Sequence, residues 1–202
     1  GALAALRLVE EPGEPAGPVF RNIARGFVYA FRFVPIRDLL TFLAAFSLVG
    51  IPYVVLLPVF ATDILGGGAG TLGLLTSSAG LGAVLGALTL ASRDTVVGLG
   101  RVIVRGSALF GAALVAFAFS EILWLSCSLL VAIGFAVMVV TAAINTMLQT
   151  LVDETMRGRV MSLYTMAFIG MSPLGSLAGG AIARRFGAPL AVSLSGLGCL
   201  AL

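Results

Sequence analysis

Five apolar stretches, each long enough to cross a lipid bilayer, constrain this chain more than any other feature. A helix needs about 20 mostly apolar residues to span the hydrocarbon core. The candidate spans cover residues 39–61, 71–91, 103–119, 123–151 and 160–183, and a further apolar run covers residues 190–202. Only 10% of the residues are charged, whereas a soluble domain has about 25%. We therefore predict an all-α, polytopic transmembrane helical bundle over residues 38–202.

Both ends of the chain have the character of partial helices. Residues 1–8 are apolar and begin with Gly1 rather than a start methionine, and the run at residues 190–202 is too short to cross a bilayer. We therefore expect a piece of a larger membrane protein, in which residues 1–8 end one helix and the other half of the protein is a missing partner.

The segment from residue 9 to residue 37 differs from the apolar runs. It opens with acidic residues and prolines, which stop a helix, and continues with Arg21, Arg25 and Arg32 among aromatic and aliphatic side chains. At 100° per residue these arginines share one helical face, which is typical of an amphipathic helix lying in the membrane interface. A plain linker between two spans is the alternative.

The arginines alternate between the two sides of the predicted bundle. Ten of the twelve fall on one side: Arg7, Arg21, Arg25, Arg32, Arg37, Arg93, Arg101, Arg105, Arg157 and Arg159. Arg184 and Arg185 fall on the other. The positive-inside rule then predicts that the ten-arginine side, with the linker, is cytoplasmic. Because these arginines lie in separate loops rather than along one stripe, nucleic acid is not an expected partner.

Three groups of residues are candidates for function. The first is a charge cluster between two spans, which acts either as a conformational latch or only as a topology signal: Asp153, Glu154, Arg157 and Arg159. The second consists of prolines inside spans, which are either hinges or static kinks: Pro52, Pro58 and Pro173. The third consists of polar side chains inside spans, which either line a substrate cavity or bond neighbouring helices: Tyr53, Thr141, Asn145, Gln149 and Tyr164.

The chain contains no histidine, and no Asp or Glu lies deep in a predicted span. Enzymatic chemistry would need a nucleophile with a base, or a metal site, and neither pattern is present. We therefore predict no catalytic residues, no metal and no cofactor, and expect that the protein is not an enzyme. A proton-coupling carboxylate, if the protein uses one, would have to lie outside this chain.

Several of these motifs resemble the C-terminal half of a transporter of the major facilitator superfamily. They are Arg157 to Leu163 between two spans, Ser172 to Gly175 within the fifth span, and Gly179 to Gly187 at its end. The closest resemblance is to the bacterial branch with enterobactin (siderophore) exporters and macrolide efflux proteins. One departure is Ala183, which precedes Arg184 where many members have an acid.

This resemblance implies a six-helix half of a twelve-helix protein of the bacterial inner (plasma) membrane. Residues 1–8 would end helix six, residues 9–37 would form the central linker, and the chain would stop within helix twelve. The implied function is secondary active export of small amphipathic organic molecules, such as siderophores or drugs, by alternating access. The implied partners are the missing N-terminal half, the lipid bilayer and a small organic solute. A non-transporting membrane scaffold, or a subunit of a membrane complex, is the alternative.

Overall fold

The fold consists of helices that are long, apolar and packed side by side. The computed structural model describes residues 19–93 and 95–202, with side chains from residue 26 onward. The predicted helix end at residues 1–8, and the start of the predicted linker, lie outside the described residues. The helices are α1 (Val19–Arg32), α2 (Val34–Gly50), α3 (Tyr53–Val59), α4 (Ala69–Ala91), α5 (Leu99–Ala118), α6 (Leu123–Leu151), α7 (Glu154–Thr165), α8 (Ser172–Phe186) and α9 (Ala188–Ala201).

Two of the membrane-length helices are interrupted. In the first broken span (Val34–Ile64), α2 and α3 are followed by a π-helical turn at Phe60–Ile64. In the second broken span (Glu154–Phe186), a π-helical turn at Met166–Gly170 separates α7 from α8. With α4, α5 and α6, these make five helices long and apolar enough to cross a membrane, and α9 is a shorter apolar helix. The predicted all-α polytopic bundle is confirmed.

Glycine determines how closely the intact helices approach. A Cβ atom at Gly134 of α6 would lie 1.9 Å from the carbonyl oxygen of Ala79 in α4, and one at Gly82 would lie 2.0 Å from that of Val131. Since no side chain fits such gaps, α4 and α6 pack backbone to backbone, as small residues allow in membranes. Gly111 of α5 and Gly196 of α9 make the same kind of contact, each facing the other's carbonyl oxygen.

These contacts arrange the helices in the order α4, α6, α5, α9, and α9 also contacts α8 and the first broken span. Phenylalanines fill the space between the first broken span and α5. Phe46 lies 4.8 Å from Phe110 and Phe60 lies 4.6 Å from Phe117, measured between ring centroids, and all four rings are fully buried. The first broken span is thereby anchored in the core, whereas most of the second broken span is exposed at the surface of the bundle.

Candidate functional site

The two broken spans pack against each other at their interruptions. Pro52 lies in the turn between α2 and α3, and Pro173 begins α8 just after the second π-helical turn. Each proline lacks the N–H that would continue the helical hydrogen-bond pattern, so a carbonyl group in the preceding turn loses its donor. Within a membrane such a carbonyl group needs another partner, because no water is available to it.

A serine supplies the partner at the second interruption. The hydroxyl of Ser47 in α2 donates a hydrogen bond to the carbonyl oxygen of Phe168, which lies in the second π-helical turn. In the i to i−5 pattern of a π-helix, the residue whose N–H would bond Phe168 is Pro173. Ser47 is fully buried. This bond therefore joins the first broken span to the interruption in the second.

Glycines allow the same two spans to touch at the first interruption. A Cβ atom at Gly175 would lie 2.1 Å from the carbonyl oxygen of Leu48, and one at Gly179 would lie 2.9 Å from Cβ of Pro52. The carbonyl of Leu48 is the group that Pro52 leaves without its α-helical donor, four residues earlier in the chain. The bare backbone of α8 covers it there, so the two interruptions form one contact, which we call the paired break.

Pro58 lies outside the paired break, in α3 close to the first π-helical turn. The hydroxyl of Thr62 donates to the carbonyl oxygen of Pro58 at 3.0 Å, and the N–H of Leu65 donates to that of Phe60 at 3.0 Å. The stacking of Phe60 on Phe117 holds this turn against α5. Hinge motion at Pro52, Pro58 and Pro173 stays a prediction.

The predicted polar stripe of α6 lies beside α7. The hydroxyl of Tyr164 in α7 donates to the carbonyl oxygen of Thr141 at 3.1 Å, and the side chain of Asn145 lies next to that hydroxyl. Gln149 donates from Nε2 to Oδ1 of Asn145. The Thr141 hydroxyl is buried and bonds its own helix, through the carbonyl oxygen of Val137 at 2.8 Å.

These four residues thus form one connected group, the α6–α7 polar group, which consists of Thr141, Asn145, Gln149 and Tyr164. Thr141 is buried, Asn145 and Tyr164 are half-buried, and Gln149 is exposed. Tyr53 does not belong to it. This tyrosine is 5% exposed and meets the ring of Phe110 edge-on, 6.0 Å away between centroids, in the aromatic core. A role of any of the five in binding substrate stays a prediction.

The predicted charge cluster lies where α1 meets α7. Asp153 accepts a hydrogen bond of 3.0 Å from the hydroxyl of Tyr29 in α1. The side chain of Arg159 packs over Gly26, where an added Cβ atom would lie 3.0 Å from Cβ of the arginine. Glu154 and Arg157 form an exposed ion pair at 3.9 Å within α7, which contributes little on its own. The contact between α1 and α7 therefore depends mainly on Tyr29, Gly26 and Arg159.

Three residues of these contacts carried no recognised signal in the sequence. Ser47 is a single hydroxyl in an apolar run, and Tyr29 and Gly26 lie in the predicted interfacial helix. Pro173 indicates that a carbonyl group of the fifth span needs a donor, but only the packing of α2 identifies Ser47 as that donor. No group of three or more His, Cys, Asp or Glu side chains that could hold a metal ion occurs in the described part of the chain.

One protein family matches nearly the whole chain. The sequence model of a family described as transmembrane secretion effector, of the major facilitator superfamily, matches residues 2–202. The chain belongs to this family. It is an integral membrane protein of a transporter superfamily, as the resemblance in its motifs predicted. A comparison with curated proteins found no match.

Proposed function

We propose that this chain is the C-terminal half of a secondary active transporter that exports small amphipathic organic molecules, such as siderophores or drugs. The half would work with an N-terminal half by alternating access, in which rigid-body rocking exposes a central cavity to each side in turn. We place the protein in the bacterial inner membrane, with α1 and the arginine-rich loops in the cytoplasm.

The paired break is the observation that carries this proposal. Two spans of membrane-crossing length are interrupted where they touch, and at the interruptions their contact includes a hydrogen bond, closely approaching glycines and a proline. Such a contact permits bending of the second broken span relative to the first without separating them, because small residues present a smooth surface. A static scaffold has no need of two matched interruptions.

The α6–α7 polar group is the proposed contact with the solute. It contains amide and hydroxyl groups but no charged side chain, and Gln149 and Asn145 remain accessible from outside the described bundle. An apolar wall with a few hydrogen-bonding groups suits a solute that is itself largely apolar. Tyr164 lies in the second broken span, and its bond to Thr141 joins that span to α6. Bending of the second broken span would therefore move the polar group.

Cysteine labelling tests the proposed solute contact. Single cysteines at Asn145 and Gln149, in the cysteine-free full-length protein in membranes, should react with a water-soluble thiol reagent, and an amphipathic substrate should protect them. A cysteine at Ile144, which is fully buried on the same helix, is the matched control and should stay unlabelled. Lack of reaction at both test positions, in inward- and outward-facing states, would remove the α6–α7 polar group from the path.

Transport itself needs a separate measurement. Energised inside-out vesicles carrying the full-length protein should accumulate a siderophore or a macrolide, and protein-free lipid vesicles should not. If no amphipathic solute accumulates although the protein is folded and inserted, the alternative of a non-transporting membrane scaffold would be favoured.

A further inference from the structure

A cavity outside the α6–α7 polar group lies between α3, α8 and the start of α9. Its volume is about 610 Å³, within the range of about 300–1,000 Å³ found for small-molecule sites. Leu56 and Val59 form one wall, and Leu177 forms part of the other. Most of its surface is therefore apolar.

Small residues of α8 make the hollow. Ser176, Gly180, Ala181 and Ala183 line it along one side of the helix. A Cβ atom added at Gly180 would meet no atom within 4 Å, so this position faces open space. Gly175, on the same helix, is packed tightly against Leu48. One face of α8 thus packs against the first broken span at the paired break, while another face borders the cavity.

Arg184 gives the cavity a positive charge. It lies in the last turn of α8 and lines the cavity. Among the described residues, the ion pairs are Arg37 with Asp38 and Arg157 with Glu154, and neither includes Arg184. The adjacent Arg185 differs, since its guanidinium lies 5.5 Å from the ring centroid of Phe186 and it does not line the cavity.

We propose that this cavity binds an anionic amphiphile, with its acidic group on Arg184 and its apolar body along Leu56, Leu177 and the open side of Gly180. A guanidinium forms paired hydrogen bonds with a carboxylate or phosphate. The apolar walls favour a hydrocarbon chain or ring over a small inorganic anion. The ligand is either a free organic acid or an anionic lipid of the surrounding leaflet, since both present this chemistry.

The residues of this site belong to α3, α8 and α9, so none of them is shared with the α6–α7 polar group. Binding can therefore be measured without transport. Loss of transport in a variant of Asn145, with binding at Arg184 intact, would separate a failure of the proposed function from a failure of this site.

The test uses the full-length protein in a neutral detergent, with dodecanoate as the probe and dodecanol as its uncharged match. Arg184→Gln should weaken dodecanoate binding about tenfold or more, as expected for loss of a charge-assisted hydrogen bond, and should leave dodecanol unchanged. Gly180→Leu should block both probes, because its side chain starts from a position with open space around it and lines the hollow. Arg185→Gln is the matched control and should bind as the unmodified protein does.

Equal effects of the two arginine substitutions, equal affinity for dodecanoate and dodecanol, or full binding in the Gly180→Leu variant would each overturn the proposal. Nanodiscs then identify the source of the ligand. Displacement of dodecanoate by phosphatidylglycerol in the bilayer, but not by phosphatidylcholine, would assign the site to an anionic lipid. Binding that is indifferent to either lipid would assign it to a free organic acid.

Discussion

Replacing Gly175 by alanine probes the paired break most directly. The new Cβ atom would lie 2.1 Å from the carbonyl oxygen of Leu48, whereas carbon–oxygen contacts normally begin at about 3.3 Å. The second broken span would have to retreat by roughly 1.2 Å, which would stretch the bond from Ser47 and loosen the contact at Pro52. Such overpacking costs about 1–3 kcal/mol.

Gly180→Ala provides the control, because it adds the same methyl group to the same helix with no atom within 4 Å. Both substitutions bring the same gain in helix propensity, about 0.5–1 kcal/mol, so this gain cancels in the comparison. We expect Gly175→Ala to be less stable than Gly180→Ala by about 1–3 kcal/mol, or roughly five- to 150-fold in the unfolding equilibrium constant.

Reversible unfolding of the full-length protein in mixed micelles measures this difference, and solute uptake into vesicles measures its effect on transport. The Gly175→Ala variant should also transport more slowly than Gly180→Ala, since the spans can no longer close on each other. Equal stability of the two variants would refute the close approach of α8 to Leu48. A stability difference without a transport difference would show that the paired break holds the fold but does not move.

Three further substitutions test single hydrogen bonds in the full-length protein. Ser47→Ala removes the donor to the second π-helical turn and should lower the unfolding free energy by about 1 kcal/mol; an unchanged value would mean that the turn finds another donor. Tyr29→Phe should increase hydrogen exchange in α1 without changing global stability, because its bond to Asp153 is exposed; unchanged exchange would show that this bond does not hold α1. Tyr164→Phe frees the carbonyl of Thr141 and should raise the KM for solute uptake; an unaltered KM would separate this tyrosine from the solute path.

The two broken spans differ in burial. A layer of phenylalanines packs the first broken span against α5, so its interruption is held by the core. At the paired break the second broken span contacts the first through glycines, and most of the second broken span is exposed. Bending is therefore expected in the second broken span, near its π-helical turn, rather than in the first.

The all-helical class of the chain followed from the sequence, because the energetic requirement is local. Within a bilayer each segment must satisfy its own backbone hydrogen bonds, so an apolar run of sufficient length is a helix whatever its neighbours are. The prolines at positions 52, 58 and 173 likewise predicted a hinge or a static kink, since the missing N–H is a property of the residue itself.

The partners of these groups came only from the tertiary structure. The sequence places Ser47 about 120 residues before the carbonyl oxygen that it bonds, and its spacing says nothing about which helix will lie opposite. Gly175 and Gly180 are the same residue type on one helix, yet one is pressed against Leu48 and the other opens onto a cavity. Arg184 and Arg185 have the same charge, and only packing brings the first alone to that cavity. Helix formation depends on each segment's own bonds, whereas the contacts and cavities depend on which helix faces reach one another after packing.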